Sequence, residues 1–361
     1  MTNTLPSFAF VVASLAALPA SAGELKIYNW ADYFGPSTVA DFTAATGIDV
    51  KLDYFESNDV LETRLLAGQS GYDLVFPAAS NAEREFRAGA LLPIDVAKLT
   101  NYGNLDPDIL AAIDALPGGR ELGVPYTWGT VGIAYNAAMV EDRLGTAEIT
   151  SWDVLFRPES AARLADCGIA VLDSPLEMIA VALNYLGNDP YSGDADDIAA
   201  AGELLHGLTP SVRYFSNIAS MSDLASGNIC AAILYSGDAG LAQLTAAEAD
   251  NGVDILYSIP SEGTVMWVDL MAIPSDAENV AAAYAFIDYM LQPEVVADVT
   301  NTIWYANANA ASVAHVLPEI LADPGIYPEA ETKSRLFPDM SLPAQTTRLR
   351  NRAWTRAKSG L

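Results

Sequence analysis

The chain has 361 residues, 51% of them hydrophobic, and a formal net charge of −28 with a pI near 4.1. That is enough apolar material for two sizeable cores, and so for two domains or lobes, and too much for a disordered chain. The charge repels phosphate backbones and excludes nucleic acid as a partner while drawing cations; as a total it describes a solvated, self-repelling surface and identifies no ligand.

Residues 1–22 carry no Asp, Glu, Lys or Arg and run through an apolar block into Ala20-Ser21-Ala22. This predicts a secretory signal cleaved after Ala22. The n-region lacks Lys and Arg, which leaves an uncleaved anchor as the alternative, but the block falls short of the roughly 20 residues a membrane span needs. Next, "LKIYNW" reads as a strand, and Pro36-Ser37 opens a helix with Val39 and Phe42 on its apolar face, closed by Gly47. "IDVKLDYF" alternates at period 2, Asp59 and Glu62 suggest a capping box for a second helix, and "YDLVF" gives a third strand. This β-α-β-α-β order predicts an open, mainly parallel sheet flanked by helices, with ligands beyond the carboxyl ends of the strands. The pattern restarts near residue 131 with "GIAYN", a helix near "SWDVLF", strand "GIAVL", helix "LEMIAVALNYLG", strand "ICAAILY" and a helix through "AQLTAAEA". A last strand-helix unit, "TVMWVDLMAIP" and "AENVAAAYAFIDYML", has the length to return to the first lobe. The expected division is lobe 1 at 23–130 plus 262–307 and lobe 2 at 131–261 plus 308–361, joined by a hinge.

If the chain stays extended past "LKIYNW", Trp30 and Asp32 share a face, as do Trp267 and Asp269. An indole beside a carboxylate suits an alkylammonium ion, and neither pair suits an anion. Tyr235 and Asp238 stand at another strand end. The competing interpretation, a core Trp beside a surface Asp or helix cap, stays open on spacing alone. Glu177 follows Ser174 and Pro175 as the N3 residue of a capping box, a structural duty that also faces the cleft. So many carboxylates leave room for a glycoside hydrolase pair, the enzyme alternative. Nothing else supports catalysis: His206 reads as a last-turn helix residue, His315 lies in an alanine-rich stretch, and no HExxH, P-loop, GxGxxG or GxSxG occurs. The acidic stretch 189–197 is only loosely like a calcium loop, and Asp194 reads better as a helix cap, so no metal is expected. Cys167 and Cys230, without a His cluster, predict one disulfide, the alternative being two buried thiols. Five of the 18 basic residues fall in the last 14 positions, read as a terminal helix docking through Leu349, Ala353 and Trp354.

"LKIYNWADYFGPSTVADFTAATGIDV", "SGYDLVFPAAS", "LGVPYTWGTVGIAYN", "NICAAILYSGDAG", "TVMWVDLMAIPSDAENV" and "WYANANAA" together resemble the periplasmic polyamine-binding proteins of ABC transporters, particularly their putrescine-binding branch. The similarity runs in order over essentially the whole chain after the signal. It implies a two-lobed α/β periplasmic binding fold of type II, no cofactor, a monomer, a polyamine ligand and an inner-membrane permease as partner. It implies a ligand set of Trp30, Asp32, Tyr33, Glu177, Tyr235, Asp238, Trp267, Asp269 and Tyr305. In that set rings line the methylenes, Asp238 and Asp269 anchor one ammonium, and Asp32 takes the other end. The resemblance also pairs Cys167 with Cys230. Ala31 and Ala78 stand where the nearest putrescine binders carry small hydroxyl residues, Ser80 lies close by, and Tyr235 replaces a Trp. A diamine is the expected ligand, with spermidine next.

Overall fold

The computed structural model describes residues 23–359; the expected signal, residues 1–22, lies outside them. Strand β1 (Glu24–Trp30) pairs in parallel with β2 (Asp49–Phe55) and β3 (Leu74–Val75), giving a sheet of order β2-β1-β3. The helix Thr38–Thr46 between β1 and β2 ends on Gly47 in the left-handed conformation, which a residue without Cβ adopts freely. In the next helix, Asn58–Leu66, the cap is Ser57, whose side chain accepts from the Val60 N–H; the expected Asp59–Glu62 box is absent because Glu62 turns instead to Arg84 and Asn81.

Strand β4 (Val124–Asn136) is buried over all 13 residues. It is followed by β5 (Ile169–Val171), β6 (Val212–Phe215), β7 (Ala231–Tyr235), β8 (Ile255–Ser258), β9 (Val265–Met271), β10 (Ala306–Asn307) and β11 (Phe337–Pro338). The second sheet runs β11-β9-β4-β7-β5-β6, with β8 and β10 also on β4. β5 is parallel to β6 and β7, while β4 is antiparallel to its neighbours. The first half of β4 pairs with β9 and β10, the second half with β7 and β8. Pairs Val75–Ala272 and Ala78–Asp269 tie β9 back to the end of β3.

The buried side chains follow that division. Leu25, Ile27, Phe76, Tyr126, Trp128 and Leu270 belong to one core, and Val131, Ile133, Trp152, Ile169, Ile233 and Trp354 to another. A smaller core with Ala232 and Leu234 fills the other face of β7, which is why that strand reads as a continuous apolar run. Residues 308–326 depart from the expected division. Ala308, Val316, Ile320 and Ile326 lie in the first core, because β10 pairs with the first half of β4 and carries the following chain with it.

The terminal helix Ala344–Ser359 docks against the second core, and Trp354 donates to Asp173 at 2.8 Å. Its deeply buried face is Thr346, Arg350, Trp354 and Ala357, with Ala353 partly buried beside it, so Arg350 takes the place expected of Leu349. The Arg350 guanidinium is held by the carbonyls of Pro190 and Ser192, at 2.6 and 3.2 Å. Asp194 caps the helix Ala195–Leu208 as expected, and His206 sits in its last turn with Nδ1 3.3 Å from the Ala357 carbonyl. Cys167 and Cys230 form a disulfide between the approaches to β5 and β7. Among the described residues no helix is long and apolar enough to cross a membrane.

Candidate functional site

The site grows from strand ends. β7 ends at Tyr235 and the helix Ser236–Ala249 starts at once, which places Asp238 in its first turn, where the helix dipole favours a negative charge. The helix Pro293–Ile303 ends on Trp304 in a left-handed conformation (φ 59°), and the next residue, Tyr305, directs its hydroxyl to Asp238 Oδ1 at 2.8 Å. The Tyr305 ring lies directly on Gly237, where a Cβ would stand 2.5 Å from the ring carbons. Burial raises the Asp238 carboxyl to about 6 against the lowering effect of the Tyr305 hydrogen bond.

Asp269 lies in extended β9, two residues after Trp267, so the two side chains share a face. It is 6% exposed, and Tyr33 donates to its Oδ2 at 2.8 Å. A phenol has one proton, so the 2.6 Å contact between Tyr33 and Thr127 has the threonine as donor. Tyr126 fixes the turn below by donating to the Tyr33 carbonyl at 2.6 Å. Burial, with the like charge of Asp339 as a smaller cause, pushes the Asp269 carboxyl up to about 7 although the Tyr33 bond opposes it.

Glu177 occupies the first turn of the helix Pro175–Tyr185. The expected capping box is inverted: the Ser174 hydroxyl donates to the Glu177 carboxylate instead of accepting from a backbone N–H. Tyr235 donates to Glu177 Oε1 at 3.1 Å. Burial and then Asp339 raise this carboxyl to about 7. Between the acids stand three rings: Trp267 meets Tyr305 at 5.1 Å and Tyr235 at 5.9 Å, both edge to face. The indole N–H of Trp267 is buried without a hydrogen-bond partner.

The structure thus brings together Tyr33, Glu177, Tyr235, Asp238, Trp267, Asp269 and Tyr305. It does not bring Trp30 and Asp32 to a shared face, because β1 ends at Trp30 and Asp32 sits in a turn with φ 53°. Trp30 packs on Phe55 at 4.5 Å and donates to the Phe76 carbonyl at 3.0 Å, while Ala31 and Asp32 are exposed. Ala78 begins the helix Ala79–Arg87 opposite Asp269, with no side-chain cap.

Sequence reasoning missed Asp339. Its N–H donates to the Met266 carbonyl at 2.9 Å, one residue beyond the Pro338–Met266 pair, and its carboxylate accepts from the Ser80 hydroxyl. A signal was present: Phe337-Pro338-Asp339 has the same aromatic-x-Asp spacing as Trp267-Val268-Asp269. Thr127, which supports Tyr33, had no such signal.

Four carboxylates therefore face hydroxyls and rings, and among the described residues none of them forms an ion pair. No three described His, Cys, Asp or Glu side chains are grouped to hold one metal ion. Acids held apart around apolar rings offer charge-assisted hydrogen bonds to separate cationic centres and apolar surface to the carbon chain between them. Four carboxylates around one site disfavour an anion.

The family model for the bacterial extracellular solute-binding protein matches residues 37–328. The chain belongs to this family. Among relatives of this solute-binding protein, the putrescine-binding periplasmic protein PotF of Escherichia coli is 44% identical over 98% of this chain and 96% of its own. The putrescine-binding periplasmic protein SpuD of Pseudomonas aeruginosa is also 44% identical, over 93% of this chain and 92% of its own. The crystal structure of the spermidine/putrescine ABC transporter substrate-binding protein PotD from Streptococcus pneumoniae superimposes with a TM-score of 0.81 at 27% identity, covering 93% of this chain and 98% of that one. The two-lobed periplasmic binding protein fold expected from the sequence is the fold of this solute-binding protein. These relatives are named for binding and transport, not for catalysis.

Proposed function

We propose that this chain is a periplasmic binding protein that captures a polyamine, putrescine first, in the cleft between its lobes and delivers it to an ABC permease without a chemical step. The observation that carries this is Asp269, a buried carboxylate with a phenol but no cation beside it, next to the unpartnered indole of Trp267. Such an acid lacks a counter-charge that an ammonium supplies. In this reading Asp238 and Asp269 hold one ammonium, Trp267, Tyr235 and Tyr305 line the methylenes, and Asp32 in its exposed turn meets the other end. The lobes are 23–130 plus 262–327 and 131–261 plus the terminal helix, with β4 bending between them as the ligand shifts the population toward a closed form that the permease recognises.

The test is calorimetric titration of protein unfolded and refolded free of amine, with putrescine, cadaverine, spermidine, spermine and agmatine. Saturable binding of putrescine is expected. Absence of binding to all five amines refutes the assignment.

A further inference from the structure

From Met340 onward the sequence carries no Asp or Glu, although it has 46 of them before that point. The terminal helix Ala344–Ser359 fills most of this stretch, and its cations are of two kinds. Arg350 and Lys358 are engaged, Arg350 by two backbone carbonyls and Lys358 by Asp173 at 2.5 Å. Arg348, Arg352 and Arg356 are exposed, and among the described residues no acceptor takes their guanidinium groups. Every other arginine of the chain is held by a carboxylate or a backbone carbonyl. Residues four apart lie on nearly one line of a helix, so the three form a stripe about 12 Å long. Beside them stand Thr347, Asn351 and Thr355, exposed and neutral. The helix packed alongside, Ala195–Leu208, exposes Asp196 and Glu203, and neither forms an ion pair with the stripe.

What such a surface fits follows from what it lacks. A specific protein interface centres on an aromatic or aliphatic side chain seated in a pocket of its partner. The stripe offers none, because Trp354, Ala357 and Ala353 of this helix pack into the second core. For the same reason the helix has no apolar face left to insert into a bilayer. An anionic headgroup plane requires neither: it attracts cations held within a Debye length of it, about 8 Å. The acidity of the rest of the chain works with this selection, because an anionic plane repels the acidic faces and turns the acid-free one toward itself.

We propose that Arg348, Arg352 and Arg356 form a cationic stripe that rests on anionic phospholipid headgroups and attaches this binding protein weakly and reversibly to a membrane surface. The contact stays at headgroup level, guanidinium to phosphate, with the helix lying along the surface. It orients the molecule and confines its search for a membrane partner to two dimensions. The attachment is independent of which solute the cleft takes.

The experiment is flotation of the full chain with vesicles of phosphatidylglycerol and phosphatidylcholine in equal parts, against vesicles of phosphatidylcholine alone. At low ionic strength, about 20 mM, the protein should float with the anionic vesicles only, and about 0.5 M salt should release it. Each arginine near the surface strengthens attachment about five-fold, so the triple variant Arg348→Gln, Arg352→Gln, Arg356→Gln should partition about 100-fold less. The control triple Arg120→Gln, Arg157→Gln, Arg335→Gln changes the net charge by the same amount at paired surface positions and should partition within about two-fold of wild type. Equal flotation with both vesicles, or equal loss in the two triple variants, overturns the proposal. Flotation with neither vesicle also overturns it, and directs the stripe to an acidic protein surface instead. The wild-type comparison and its salt dependence decide even if a variant misfolds.

Discussion

Replacing Asp269 by Asn should stabilise the empty protein and weaken amine binding, two effects of opposite sign from one isosteric change. The carboxyl rises from 3.8 to about 7, chiefly because it is buried, and each unit corresponds to about 1.4 kcal/mol. Holding Asp269 ionised in the empty site therefore costs about 4 kcal/mol. Because the folded chain keeps this proton to a higher pH than the unfolded chain, the favourable protonated contribution is complete below about pH 4 and lost as pH rises through about 7. Asn carries no charge to desolvate and still accepts from Tyr33, so its advantage appears at about pH 8 and shrinks at about pH 5. With ligand the balance reverses: the ammonium loses its charged partner, and affinity should fall by about 2–3 kcal/mol, roughly 30-fold or more. Urea unfolding of ligand-free wild type and Asp269→Asn at the two pH values, alongside calorimetric titration, measures both terms. A variant less stable than wild type at both pH values with unchanged amine affinity would mean that Asp269 is a structural hydrogen-bond acceptor, and would refute the reasoning.

Opening the Cys167–Cys230 bond, which closes a loop of 63 residues, should cost about 4 kcal/mol by the chain-entropy argument, seen as a lower urea midpoint in the Ser-Ser variant. Gly237→Ala places a methyl 2.5 Å from the Tyr305 ring and must push it off Asp238, so putrescine affinity should drop about ten-fold by titration while the unfolding midpoint changes little. Ala78→Ser supplies the cap that the helix 79–87 lacks and should raise stability by about 1 kcal/mol in the same unfolding assay.

Much of this was legible in the chain because it depends on local rules. The alternation of strands and helices follows from periodicity, Gly47 and Asp194 from terminal chemistry, and the shared face of Trp267 and Asp269 from a strand that stays extended. The same period-2 argument failed at Trp30 and Asp32 because it holds only while the strand lasts, and β1 stops at Trp30. Asp339 was hidden for a different reason. Its neighbours Ser80 and Met266 are distant in sequence, and a two-residue strand followed by a short irregular segment carries little periodic signal. Arg350 shows a third limit: a helix face normally reserved for apolar residues accepts a guanidinium because two backbone carbonyls near Asp194 lie within its reach.

Strand β4 also dictates an order of assembly. Its second half finds all its sheet partners once residue 258 exists, whereas its first half waits for β9 and β10, up to residue 307. A chain emerging from its amino terminus therefore begins the first lobe early and completes it late, with the second lobe's sheet formed in between. The long wait leaves half of an apolar strand without neighbours during synthesis, a state in which exposed strand edges favour association with other chains over productive folding.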